Sequence, residues 1–145
     1  MANATLISTD WKLHLETSYA CVLVHADQGI LLCEVTREYI PIKTFKAIFG
    51  ELSHLIKTGS FHKFIFDKRA LTAFHQPSME WYYVNWKTEM LQAGLYQHRK
   101  LLPKAEWFRK TVEIARKSIQ PKLPTEIQAQ LDIKYCESIH EAIAQ

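Results

Sequence analysis

Seven histidines and three cysteines are the residues of this 145-residue chain with types suited to metal or nucleophilic chemistry. The histidines, His14, His25, His54, His62, His75, His98 and His140, form no H-x-H or H-E-x-x-H pattern, whereas a zinc site needs three or four convergent ligands. Cys136 and His140 are four apart across a strand-to-helix junction and lack a second pair. No G-x-S-x-G turn occurs, and no cysteine lies beside the basic pair that would lower its pKa. Gly29, Gly50, Gly59 and Gly94 are too dispersed to cradle a phosphate. The sequence therefore assigns no catalytic residue, no metal ligand and no cofactor, and an enzyme is the weakest functional reading.

A polar group with more promise closes the segment FHKFIFDKR, which has the pattern of a short buried strand. Side-chain direction in a strand repeats every two residues, so Asp67 and Arg69 point to one side and can pair or anchor the following loop. The carboxyl end of a central strand borders the binding crevice of an open sheet. A polar ligand would be sought there, with Lys68 and His75 as neighbours.

The elements that position this group follow from hydrophobic periodicity. Trp11, Leu13 and Leu15 alternate with Lys12, His14 and Glu16, as in a half-buried strand. YACVLVHA (19–26) is more continuously apolar, Asp27-Gln28-Gly29 supplies a turn, and Ile30 to Thr36 forms a third strand, completing an antiparallel meander. From Pro41 onward Ile42, Phe45, Ile48, Phe49, Leu52, Leu55 and Ile56 recur at helical spacing, and Gly59 is expected to end that helix in a left-handed cap. A second helix runs from Gln76-Pro77-Ser78 to Gly94, followed by a short strand at Lys100 to Leu102 and a third helix from about Ala105 to Ile119, which Pro121 and Pro124 break. Leu131 to Tyr135 is the last strand. It leads into Ser138-Ile139-His140-Glu141, a capping box that opens a terminal helix. The order predicts an α/β (α+β) fold in which a mixed sheet of five to six strands begins with the meander, with helices mainly on one face.

The second helix carries the aromatic surplus PSMEWYYVNW. At about 100° per residue Met79, Tyr82, Tyr83, Trp86 and Met90 share one stripe, the signature of a core-facing side. Trp81 falls nearly opposite, with Val84 and Leu91 on its flank, so its cover is expected from the loop after Pro121, a twin subunit or a partner.

Composition sets the outer bounds. With 48% hydrophobic residues, residues 1–145 suffice for one domain with a single core. Three dispersed cysteines, Cys21, Cys33 and Cys136, in apolar settings imply a reducing, cytoplasmic location. No apolar run approaches the roughly 20 residues of a membrane span. The net charge of +3 is too mild to argue for nucleic acid, yet residues 97–122 carry +6 and the remainder −3. A solvated basic helix face is the common cause of such asymmetry.

This element order, the Asp-x-Arg at Asp67 and Arg69, and the ending DIKYCESIHEAIAQ resemble the STAS-like proteins, in particular the SpoIIAA-like branch of STAS/SEC14 domains. The resemblance spans roughly residues 11–144 and implies binding in place of catalysis. Members similar to anti-sigma factor antagonists are switched by phosphorylation of a Ser or Thr just after the central strand. Here Lys68 stands where the Asp-Ser pair would be completed, and Thr72 and Ser78 are the nearby hydroxyls. Two functions follow as expectations. One is a non-enzymatic regulatory module that binds a protein partner or a second copy through a helix face. The alternative is a SEC14-like carrier or sensor of an apolar, lipid-like ligand held between the aromatic helix and the sheet, where Trp81, Tyr82 and Trp86 would join Asp67, Lys68, Arg69 and His75 as binding residues.

Overall fold

The structure, a computed structural model, describes residues 10–145. Six strands form one mixed sheet in chain order: β1 (Lys12–Glu16), β2 (Ala20–His25), β3 (Ile30–Val35), β4 (Lys63–Asp67), β5 (Gln97–Leu101) and β6 (Asp132–Tyr135). The first three pair antiparallel and the rest parallel. Gly29 makes the β2–β3 turn at φ +64°, a conformation that costs a residue with a Cβ, and its carbonyl accepts from the N–H groups of His62 and Lys63.

Each parallel step is a crossover through helix. α1 (Ile42–Thr58) joins β3 to β4; α2 (Gln76–Glu80), a π-helical turn (Trp81–Trp86) and α3 (Lys87–Gln92) form one continuous rod between β4 and β5. α4 (Glu106–Ile119), a 3-10 turn (Gln120–Lys122) and α5 (Thr125–Gln130) lead to β6, and α6 (Ile139–Ala144) follows. Strand alternation divides the core between the two sheet faces. Val22, Leu31, Cys33, Phe64 and Phe66 meet α1, the aromatic rod and α4, while Leu23, Leu32, Ile65 and Leu101 meet Trp11 and α6. The helices thus lie mainly on one face, as expected.

The aromatic rod buries Met79, Tyr82, Tyr83, Trp86 and Met90 together. Its π-helical turn shows in the Lys87 N–H, which donates to the carbonyl of Tyr82, five residues back. Both neighbouring tyrosines face the sheet there, and Lys87 lies on the same buried side.

Five expectations need correction. A β-bulge between Leu13 and Leu15 breaks the alternation of β1, so Trp11 packs on the α6 face, Leu15 on the other, and Leu13 is exposed. Gly59 ends α1 in an extended conformation; glycine is needed there because a Cβ would meet the Phe61 ring at 2.6 Å. The strand expected at Lys100 starts at Gln97, and α5 follows Pro124 where a loop was expected. Trp81 is covered by α1: its ring stands edge-on to Phe45 and Phe49, 6.0 and 6.2 Å between centroids, with Lys46 Nζ over it at 5.5 Å.

Phe49 is the hub of the core, stacked on Phe45 at 4.4 Å and edge-on to Trp86 at 4.8 Å and Tyr82 at 5.4 Å. Phe49→Ala is expected to cost about 3–5 kcal/mol through lost burial and an unfilled cavity. A urea midpoint close to that of the parent would contradict this assignment.

Candidate functional site

The carboxyl end of β4 is set by Asp67, which is buried. Its Oδ1 accepts from the Arg69 backbone N–H at 3.1 Å and from Arg69 Nε at 2.9 Å, and its Oδ2 accepts from Arg69 Nη2 at 2.8 Å. This bidentate pair braces the loop, and the Lys68 N–H prolongs the parallel ladder by donating to the Leu101 carbonyl at 2.8 Å. Lys68 points away from the pair, into the helix-covered face, where its Nζ lies 5.1 Å from the centroid of Phe66. Burial pushes its ammonium down to about 8.

Lys68 shares a small apolar cavity of about 60 Å³ with Tyr39, Phe74, His75, Tyr82 and Phe108. His75 is the N-cap of α2: its Nδ1 accepts from the Ser78 N–H at 3.3 Å and stands 2.8 Å from Ser78 Oγ. Ser78 is buried at that cap, while Thr72 is exposed. Of the residues expected to bind, Lys68, His75 and Tyr82 come together at this cavity, while the Asp67–Arg69 pair lies outside its lining. Trp86 instead ties the rod to α1, its Nε1 donating to Ser53 Oγ at 2.9 Å and to the Phe49 carbonyl at 3.2 Å.

A second group went unforeseen. β5 reads QHRKL, and His98, Arg99 and Lys100 are each no more than 1% exposed. The excess of charge in residues 97–122 is therefore partly interior, and at the surface Arg109 pairs with Glu137, Lys117 with Glu113 and Lys122 with Glu80. Arg99 faces α6, where its terminal nitrogens donate to Asp132 Oδ2 at 3.0 Å, to the Asp132 carbonyl at 2.8 Å and to the Gln145 carbonyl at 2.7 Å, while its Nε has no partner. That guanidinium holds the Asp132 carboxyl below its usual range. Lys63 Nζ likewise donates to the carbonyls of Ala142 and Ile143, at the helix end where a cation is favoured.

Lys100 and Lys87 face the other way and have no such partners. Their Nζ atoms lie 3.9 and 3.6 Å from the Tyr83 centroid and 5.1 and 4.8 Å from that of Tyr82, and neither makes a hydrogen bond. Burial pushes both amines well below the ordinary lysine range, and His98 beside them is lowered for the same reason. The Tyr82 hydroxyl stands 3.5 Å from His98 Nδ1. A signal for Lys87 existed in the sequence, since it lies four residues after Tyr83 and three before Met90, on the buried stripe. For Lys100 the signal is weaker: a strand with both neighbours paired must bury whatever it carries. Among the described residues, no three His, Cys, Asp or Glu side chains gather in a way that could hold a metal ion.

Lys68 gives a pH signature with a definite sign. Its folded pKa of about 8 lies below its ordinary 10.5, so the unfolded chain binds more protons between those values and the Lys68 contribution grows as pH rises through that window. Lys68→Met is expected to be more stable than the parent at pH 7, with the gap narrowing by pH 10.5 in chemical denaturation. A gap independent of pH would show Lys68 to be solvated.

No model of a known protein family matches the chain, and no curated protein sequence matches it. A solved structure does: the anti-sigma factor antagonist SpoIIAA in its unphosphorylated form superposes with a TM-score of 0.56 over 92% of each chain, at 14% sequence identity. Sheet order, the antiparallel start and the helical cover agree with that structure, and the chain has a STAS-like, SpoIIAA-like α/β fold.

Proposed function

We propose that this chain is a non-enzymatic regulatory module that works by docking another protein on the outer face of α4. The observation that carries the reading is the exposure of two large apolar side chains there, Trp107 at 54% and Ile114 at 70%. They are seven residues apart, hence on one face of the helix, with Thr111 between them. Lys110 and Lys117, the latter paired with Glu113, lie along one side of this strip, so the matching partner surface is chiefly apolar. The SpoIIAA-like fold supports the reading, since the similar protein is an anti-sigma factor antagonist. Thr72 is the one exposed hydroxyl of the two near the end of β4, so a phosphate-dependent switch would act through it.

The apolar-carrier reading draws on the cavity beside Lys68. At about 60 Å³ that cavity is well below the roughly 300 Å³ at which small-molecule sites begin, so docking is the better supported function.

The test compares the parent with Trp107→Ala/Ile114→Ser, whose exposed positions leave stability within about 0.5 kcal/mol. Proteins captured from a lysate by the parent and lost from the variant would be purified and titrated by calorimetry, with at least a tenfold loss of affinity expected. Native mass spectrometry would read self-association and any retained small molecule in the same preparations. A partner set and oligomeric state unaffected by the double substitution, with a lipid mass retained, would replace docking by the carrier function.

A further inference from the structure

Neither the cavity beside Lys68 nor the α4 surface uses Lys87 and Lys100. The charges that bear on these two amines come from each other, from Lys68 and from Arg116, all cations, with no carboxylate among them. On the α6 face the same strand gives both terminal nitrogens of Arg99 oxygen partners, an aspartate and carbonyls, and leaves only its Nε without one. On the helix-covered face Lys87 Nζ, Lys100 Nζ and the Tyr83 hydroxyl are buried with no hydrogen-bond partner at all.

The way out of this cluster runs past Tyr135. Its ring centroid is 5.8 Å from Lys100 Nζ and 5.4 Å from Arg116 Cζ, and the side chain is 36% exposed. Two surface cavities flank it, each lined by both Arg116 and Tyr135: the smaller, about 190 Å³, also carries Glu113 and Glu137, whereas the larger, about 250 Å³, includes Tyr83 and no carboxylate and is the one that suits an anion. Neither amine lines either cavity: Lys100 Nζ lies behind the Tyr135 ring, so a ligand reaches the pair only when that side chain turns aside. We propose that the space beneath Tyr135 and Arg116 binds a small phosphate-bearing anion, inorganic phosphate or a phosphomonoester, through Lys87 Nζ, Lys100 Nζ, the Arg116 guanidinium and the Tyr83 hydroxyl.

The ligand class follows from charge and space. Two amines and a guanidinium suit a dianion, whereas a carboxylate would leave the cluster in excess of positive charge. At about 250 Å³ the larger cavity is below the roughly 300 Å³ at which drug-sized sites begin, which leaves room for a phosphate or a short phosphomonoester. Phosphate also offers several acceptor oxygens, which matches a cluster rich in donors and poor in acceptors. Because burial disfavours charge on the amines, they are expected to take up protons as the anion binds. Lys68, His98, Arg116, Tyr82, Tyr83 and Tyr135 are the other titratable groups facing the pair.

The test is calorimetric titration of the intact protein, freed of phosphate and sulfate, with inorganic phosphate and with glycerol 3-phosphate at pH 7.5. Buffers of different ionisation enthalpy read the proton uptake. A Kd below about 1 mM, proton uptake, and at least a tenfold weakening in both Lys100→Met and Arg116→Gln are expected. Tighter binding of the ester would identify an organic phosphate as the ligand, and the reverse order would identify the free ion. Arg116→Gln, on a half-buried surface position, keeps the test valid where Lys100→Met fails to fold. No binding of either compound, or equal binding by parent and Arg116→Gln, overturns the site. A Lys87→Met/Lys100→Met protein that is more stable than the parent and titrates identically would show the pair to be structural.

Discussion

The helix-covered face is organised around one costly act, the removal of two lysine amines from water. Transfer of an ammonium to a dry interior costs several kcal/mol even after relaxation. The fold offsets part of that with the faces of Tyr82 and Tyr83, and the uncompensated remainder pushes both amines toward their neutral form. Helical periodicity already places Tyr82, Tyr83 and Lys87 on the sheet side, and the five-residue hydrogen bond from Lys87 to Tyr82 widens the rod at that point.

One strand handles the same difficulty in two ways. Arg99 and Lys100 are adjacent in β5 and equally inaccessible, but they emerge on opposite faces of the sheet. Arg99 finds oxygen atoms at the end of α6 and beside β6, which suits a fixed fork of donors. Lys100 finds aromatic rings, a weaker and less directional substitute for water. The α6 face therefore meets the ends of its buried cations with oxygen atoms and has a structural character, while the opposite face surrounds its two amines with rings.

Periodicity made most of the architecture legible. The meander, α1, the aromatic stripe and α4 all follow from which residues recur every two or every three to four positions. The Ser138 cap is also as read, with Ser138 Oγ accepting from the Glu141 N–H; Glu141 reaches the N–H of Glu137 in place of that of Ser138. What escaped was aperiodic: a bulge that turns β1 over at one residue, a π turn indistinguishable from α-helix in a pattern of rings, and a short helix after two prolines. Lys68, His75 and Tyr82 were readable as neighbours because a strand end and a helix start converge there. Trp81 was misjudged because helical geometry gives a direction but not the element lying in it, and α1 crosses close enough to cover both flanks of the rod. His98 and Lys100 were missed because charge in a sequence signals solvent until topology shows that both sides of the strand are taken.

The bulge in β1 has a further effect on how copies of this protein can meet. β1 and β6 are the two margins of the sheet, and an open margin with free N–H and C=O groups is a template for adding strands from another chain. At β1 the bulge makes the register irregular just where such a strand would begin to zip, and at β6 only four residues are presented, with Asp132 and Lys134 among them. Edge-to-edge polymerisation is thereby disfavoured on both sides. Any assembly this protein enters is directed away from its backbone and toward side chains on its helices, which are individually addressable by mutation and by selection.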